Sequence, residues 1–116
     1  MKKRSRMISV NSNWLVDSFE YHEFTKVDEW QKAVFEEPVE VSKVRIEFGT
    51  RYSRDKKEAK VISNAIIYCF ASDTVPLLDF KERAKVVIEG KEYLIQKVIP
   101  NRAPDGSMWS YELEVL

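Results

Sequence analysis

The sequence predicts an all-β fold: a small closed or partly open antiparallel barrel of about six strands with long loops. Three observations carry that expectation. Residues 109–116 alternate strictly, with Trp109, Tyr111, Leu113 and Val115 on one face and Ser110, Glu112 and Glu114 on the other, which is the period of a half-buried strand. Residues 61–71 are apolar on both faces, as a strand with neighbours on either side requires. No helical stripe runs longer than about two turns. The closing strand lies far from the amino end and needs a partner made earlier, which favours closure over an open sheet. The carboxyl end is accordingly expected to belong to the fold.

Taken in order, residues 1–13 are expected to be a basic, flexible arm, and 14–116 a single barrel domain. The arm carries Lys2, Lys3, Arg4 and Arg6. Its apolar stretch, Met7-Ile8-Ser9-Val10, is far shorter than the roughly 7–15 residues of a secretory core. The chain is therefore expected not to be secreted, and no stretch has the length of a membrane span. A start at Met7 is an alternative that would remove the basic residues.

Residues 17–26 alternate Phe19 and Tyr21 against Glu20 and His22, and 27–32 reads as a turn or one helical turn around Trp30. Residues 33–48 hold two extended pieces, broken near Glu36-Glu37-Pro38, because proline lacks the ladder donor. In the second piece Val44, Ile46 and Phe48 share a face opposite Lys43, Arg45 and Glu47. Residues 49–60 contain almost no large apolar side chain and are expected to form a long loop. Residues 61–71 supply the central strand. Asp79-Phe80-Lys81-Glu82 has capping-box spacing and predicts one turn of helix. Residues 85–88 and 91–99 form a hairpin around Glu89-Gly90, where glycine accepts the positive φ of a tight turn. Residues 100–107 are expected to be a polar loop before the last strand.

The 116 residues suffice for one domain that buries roughly two-thirds of its unfolded surface. Nineteen basic residues balance nineteen acidic ones, which argues against a nucleic-acid binder working through bulk charge. Cys69 is the only cysteine, so no internal disulfide forms and a cytoplasmic folding environment fits.

Catalysis finds little support. A Cys69–His22 nucleophile pair is conceivable, but Cys69 falls in the most apolar stretch, where an inert core thiol is the plainer reading. One cysteine and one histidine do not supply a zinc site, and three scattered glycines make no phosphate loop. No enzyme activity, cofactor, metal or small-molecule substrate is expected.

Charge is nevertheless unevenly laid out. Residues 20–40 hold seven acids (Glu20, Glu23, Asp28, Glu29, Glu36, Glu37, Glu40) against Lys26 and Lys32, a net of −5. Residues 49–60 hold five bases (Arg51, Arg54, Lys56, Lys57, Lys60) against Asp55 and Glu58, a net of +3. Solvated surface is one reading. The other is a subunit whose acidic side meets the basic loop of a neighbour or a polyanion, a head-to-tail contact that closes into a ring if the rotation permits. On this second reading Trp30, Glu36, Glu37 and Glu40 form the interface and Trp30 is its exposed anchor.

The succession Asp28-Glu29-Trp30, then residues 41–47, 62–68 and 86–95, then the terminal Tyr111-Glu112-Leu113-Glu114-Val115 resembles the minor capsid or head-completion proteins of long-tailed phages and prophages of Gram-positive bacteria. Members often carry a histidine pair before the final Tyr-Glu-Leu-Glu; here Trp109 and Ser110 stand there, which removes any histidine-based role at that place. The resemblance implies a small barrel that assembles as a homo-oligomeric ring below the portal, at the head–tail junction of the virion. The portal or adaptor ring and the tail proteins are the partners it implies, with host cytoplasm as the location before assembly. In the related stopper proteins a loop reaches into the channel and holds packaged DNA. Arg51, Arg54, Lys56, Lys57 and Lys60 would be its counterpart here, with weak, non-specific contact to phosphates. Two alternatives stay open: a barrel of the oligonucleotide-binding type that stacks bases on Phe48 and Tyr52 beside Arg51 and Arg54, and a tail-completion protein.

Overall fold

The computed structural model describes residues 11–53 and 60–116. Among them, a single 3-10 turn (Ser12–Trp14) precedes eight strands: β1 (Asp17–His22), β2 (Phe24–Val27), β3 (Ala33–Phe35), β4 (Val39–Tyr52), β5 (Val61–Phe70), β6 (Lys85–Ile88), β7 (Lys91–Arg102) and β8 (Met108–Val115). Six strands close a barrel in the order β1-β4-β5-β8-β7-β6, and β2 with β3 makes a separate two-stranded sheet. The barrel pairings are antiparallel, and Tyr21 opposite Val86 seals β1 to β6. The all-β barrel expected from alternation is therefore found, closed rather than partly open.

The alternation of β1 and β8 decides what fills the barrel. Phe19, Tyr21, Leu113 and Val115 are buried with Ala65, Ile67 and Cys69 of β5 and Val86, Tyr93 and Ile95 of the β6–β7 hairpin. Strand β4 changes phase within itself. Lys43 takes φ +59° and the register against β1 slips beside it, so Val41 and Val44 both point inward although three positions apart. Such a bulge re-aims a strand at the cost of one unpaired residue. Thr74 holds it: its Oγ1 donates to the Lys43 carbonyl at 2.9 Å and accepts from Phe70 N at 2.8 Å. The β6–β7 turn is as expected, with Glu89 at φ +50° and Gly90 at φ +82°, the double positive φ that matches strand twist.

Four expectations are corrected. Residues 49–52 continue β4 rather than opening a loop, with Arg51 opposite Ser63 and Tyr52 opposite Val61. A two-stranded ladder needs no buried side chains, so the loss of apolar residues marks the exit from the core and not the end of the strand. Strand β5 does have a neighbour on each side, but its first residues, Val61 and Ile62, are exposed because that ladder runs past the barrel. Residues 79–82 form no helix. The Asp79 carboxylate takes Lys81 Nζ at 2.8 Å, and Phe80 turns inward, edge-on to Tyr21 and Tyr111 at 5.2 and 5.4 Å. Burying a ring outweighs a local cap worth about 1 kcal/mol. Finally, β7 runs through Pro100, opposite Tyr111 of β8. Strand β6 pairs only as far as Leu94, so the missing proline donor faces an edge.

Candidate assembly surfaces

Two hairpins leave the barrel, and β4 joins them. Its first residue, Val39, follows the β2–β3 hairpin, and its last, Tyr52, enters the β4–β5 hairpin. Fourteen residues separate the two regions, roughly 43 Å if the strand were straight at about 3.3 Å per step.

The β2–β3 hairpin marks the acidic end: between Phe24 and Phe35, Asp28 and Glu29 balance Lys26 and Lys32, and the excess comes from Glu20, Glu23, Glu36, Glu37 and Glu40 flanking its base. Phe24 and Phe35 pack edge-on at 5.9 Å, and Arg83 and Lys85 lie over their rings at 4.0 and 5.2 Å, fastening the hairpin to the barrel. Asp28 builds the turn that the sequence predicts. Its Oδ1 accepts from Trp30 N and Lys32 N, each at 2.8 Å, and Gln31 takes φ +64°. The Trp30 side chain is left 73% exposed. Glu36 is tied in: Thr25 Oγ1 donates to its carboxylate at 2.7 Å, and His22 Nδ1 donates to its carbonyl at 3.1 Å. Glu37 and Glu40 meet no cation among the described residues. Glu40 stands directly opposite Glu20 across the β1–β4 ladder, an unfavourable like-charge pair, and His22 Nε2 lies 3.6 Å from the Glu20 carboxylate.

The β4–β5 hairpin is the basic one. Arg51 lies on the strand, not in the connection, and its guanidinium is 3.8 Å from Glu114. Lys60 is exposed, and its backbone closes the connection against Ser53 at 2.7 Å. Arg54, Lys56 and Lys57 lie outside the described residues. Phe48, opposite Ala65, and Tyr52, opposite Val61, continue the barrel's inward face beyond its end, where they are 61% and 57% exposed. Val61, on the inward face by parity with Ala65 and Ile67, and Ile62 are exposed where the sequence predicts core. The signal for it was the polar stretch 49–51 on the partner strand, which marks where the barrel ends.

The geometry opposes nucleophilic chemistry at Cys69 and His22. The thiol is wholly buried, and burial pushes its pKa up, the reverse of thiolate activation. His22 is on β1, and β4 separates β1 from β5. Tyr21 is likewise pushed up, first by burial and then by its hydrogen bond to Glu23; its hydroxyl donates to that carboxylate at 2.8 Å and accepts from Lys81 N at 2.9 Å. Among the described residues no group of three or more His, Cys, Asp or Glu side chains is placed to hold a metal ion, and no helix is long and apolar enough to cross a membrane.

A family model described as minor capsid protein matches residues 11–115. Neither a curated protein nor a solved structure matches the chain.

Proposed function

The chain belongs to the minor capsid protein family, and from that premise we propose that this phage structural protein is a non-enzymatic head–tail connector. It assembles as a ring below the portal, at the head–tail junction, after folding in the host cytoplasm. The observation that carries this reading is the placement of the acidic flanks of the β2–β3 hairpin and of the basic β4–β5 hairpin at opposite ends of one long strand, β4. Surfaces of opposite sign at opposite ends make a heterologous contact, which repeats from copy to copy and closes when the rotation allows. Trp30 supplies an exposed anchor in the turn of the hairpin, whose base carries Glu36, with Glu37 and Glu40 following it along the chain. Phe48 and Tyr52 supply an apolar counterpart beside Arg51, and aromatic rings of this kind dominate interface energy.

The cations of the basic hairpin, Arg51 and Lys60 with Arg54, Lys56 and Lys57, would be repeated around the ring axis. Each copy contacts packaged DNA weakly, and the contacts add only in the assembly. The portal or adaptor ring and the tail proteins are the neighbours above and below. The test is the quadruple variant Arg51→Glu, Arg54→Glu, Lys56→Glu and Lys57→Glu. It should fold normally and fail to dock on portal-containing heads; a variant that completes heads normally removes the basic hairpin from assembly.

The exposure of Phe48 and Tyr52 next to Arg51 also favours a second reading, single-strand binding by base stacking. It predicts submicromolar affinity of the monomer for single-stranded DNA at physiological salt, lost in Tyr52→Ala. The connector reading predicts only weak binding, whose logarithmic salt slope is no steeper than about −4 for duplex. A tail-completion role would keep the same contacts and change the neighbours.

A further inference from the structure

Beside the base of the β2–β3 hairpin lies an open cleft of about 390 Å³ whose apolar wall includes Tyr21, Val39 and Leu78. Its rim carries Glu23, Glu36, Glu37 and Asp79 against a single cation, Lys81. Lys81 is already paired, 2.8 Å from Asp79. Glu23 and Glu36 accept hydroxyl hydrogen bonds from Tyr21 and Thr25, which hold the carboxylates in place without neutralising them. The rim therefore keeps an unbalanced negative charge over an apolar floor, a combination suited to a chain segment with cationic heads on aliphatic stems.

The sequence contains such a segment outside the described residues. Residues 1–10 carry Lys2, Lys3, Arg4 and Arg6, no acid, and the apolar Met7, Ile8 and Val10. We propose that the cleft seats this basic segment from a second copy of the chain. The partner is a second copy for two reasons. Both edges of the chain's own β1 are taken, by β4 and β6, so its own segment has no ladder to follow back to the cleft. The Ser12–Trp14 turn that leads out of that segment packs against β4, just before Asp17, which stands opposite Val44; Tyr21, at the cleft, stands opposite Val39. A neighbour that presents the far end of its β4 to this acidic end brings its own residues 1–10 with it. Ten residues span at most roughly 33–36 Å, enough to cross a subunit boundary. The inference rests on the head-to-tail reading for the direction of approach, and it predicts an exchanged arm that reinforces each contact.

The test uses the full chain in two variants. One has Lys2, Lys3, Arg4 and Arg6 each replaced by Glu; the other is Glu36→Lys with Glu37→Lys. Self-association is followed by analytical ultracentrifugation at low salt up to millimolar protein, with circular dichroism as the check on folding. Each variant alone should associate roughly tenfold or more weakly than wild type, the sum of a few exposed pairs. Mixing the two should restore association, because the acidic arm of one copy then meets the basic cleft of the other. Failure of the mixture to recover means the segment lies on its own copy's cleft or elsewhere, and overturns the proposal. A wild-type chain that stays monomeric throughout, or an arm variant that loses DNA binding and keeps its association, overturns it as well. Both variants keep Arg51 and the 54–60 cations, so recovery in the mixture stands even if the basic-hairpin variant shows no defect on heads.

Discussion

Removing the Phe80 ring should cost about 4 kcal/mol, from the roughly 3–5 kcal/mol of buried Phe→Ala changes. Phe80 is 3% exposed and touches three other rings: Tyr21 and Tyr111 edge-on at 5.2 and 5.4 Å, and Phe19 tilted at 6.1 Å. It comes from a connection between β5 and β6, not from a strand, and its neighbour Lys81 donates its backbone N–H to the buried Tyr21 hydroxyl. Phe80→Ala therefore opens a cavity between rings on two strands and frees that connection, adding about 1 kcal/mol for the hydrogen bond if it is lost. At about 4 °C per kcal/mol, the melting temperature should fall by roughly 15 °C. Urea unfolding should show a lower midpoint at an unchanged slope, and Phe80→Leu, which keeps most of the volume, less than half the loss. A cost below about 1 kcal/mol for Phe80→Ala would show that the ring does not plug the barrel.

Alkaline pH should destabilise the fold. Tyr21 and Cys69 have ordinary values of 10.0 and 9.0, and burial raises both in the folded chain, so their protonated forms contribute fully below about pH 9. That contribution is lost as pH rises, because the unfolded chain ionises first. Unfolding free energy measured from pH 8 to 11 should fall, and the Tyr21→Phe, Cys69→Ala double variant should flatten the fall. Ser63 is fully buried and its Oγ has no partner among the described residues, so Ser63→Ala should raise the unfolding free energy by up to about 1 kcal/mol, read as a higher urea midpoint at unchanged slope. Gly90→Ala meets open space but sits at φ +82°, and should lower stability by about 1 kcal/mol.

Side-chain parity was readable in β1 and in the last residues of β8, although Ser110, on the face that alternation makes polar, is buried. Phe19 and Tyr21, Leu113 and Val115, and the turn at Glu89-Gly90 all follow from spacing alone, because period two and positive φ are local properties. What was not readable depends on where the barrel ends. Val61 and Ile62 look like core and are surface, and Arg51 looks like loop and is strand, because the β4–β5 ladder outruns its neighbours. The bulge at Lys43 was hidden for a related reason: it is stabilised by Thr74, thirty-one residues away. At Phe80 a capping pattern was overruled by three rings that only the closed barrel brings together. The opposed charge of 20–40 and 49–60 could be counted from the chain, whereas its placement at the two ends of β4 is a consequence of strand pairing.

Head-to-tail contact between the acidic and basic ends of β4 is tested most directly by zero-length carboxylate–lysine cross-linking of assembled particles grown from a mixture of ¹⁴N- and ¹⁵N-labelled chains. Mixed-isotope peptides report links between copies. Head-to-tail assembly predicts that Lys56, Lys57 or Lys60 of one copy is joined to Glu29, Glu36, Glu37 or Glu40 of another, and that the links fade as salt rises before fixation. Links from those lysines that are confined to the portal or to their own chain, with none reaching the acidic end of a second copy, would contradict it.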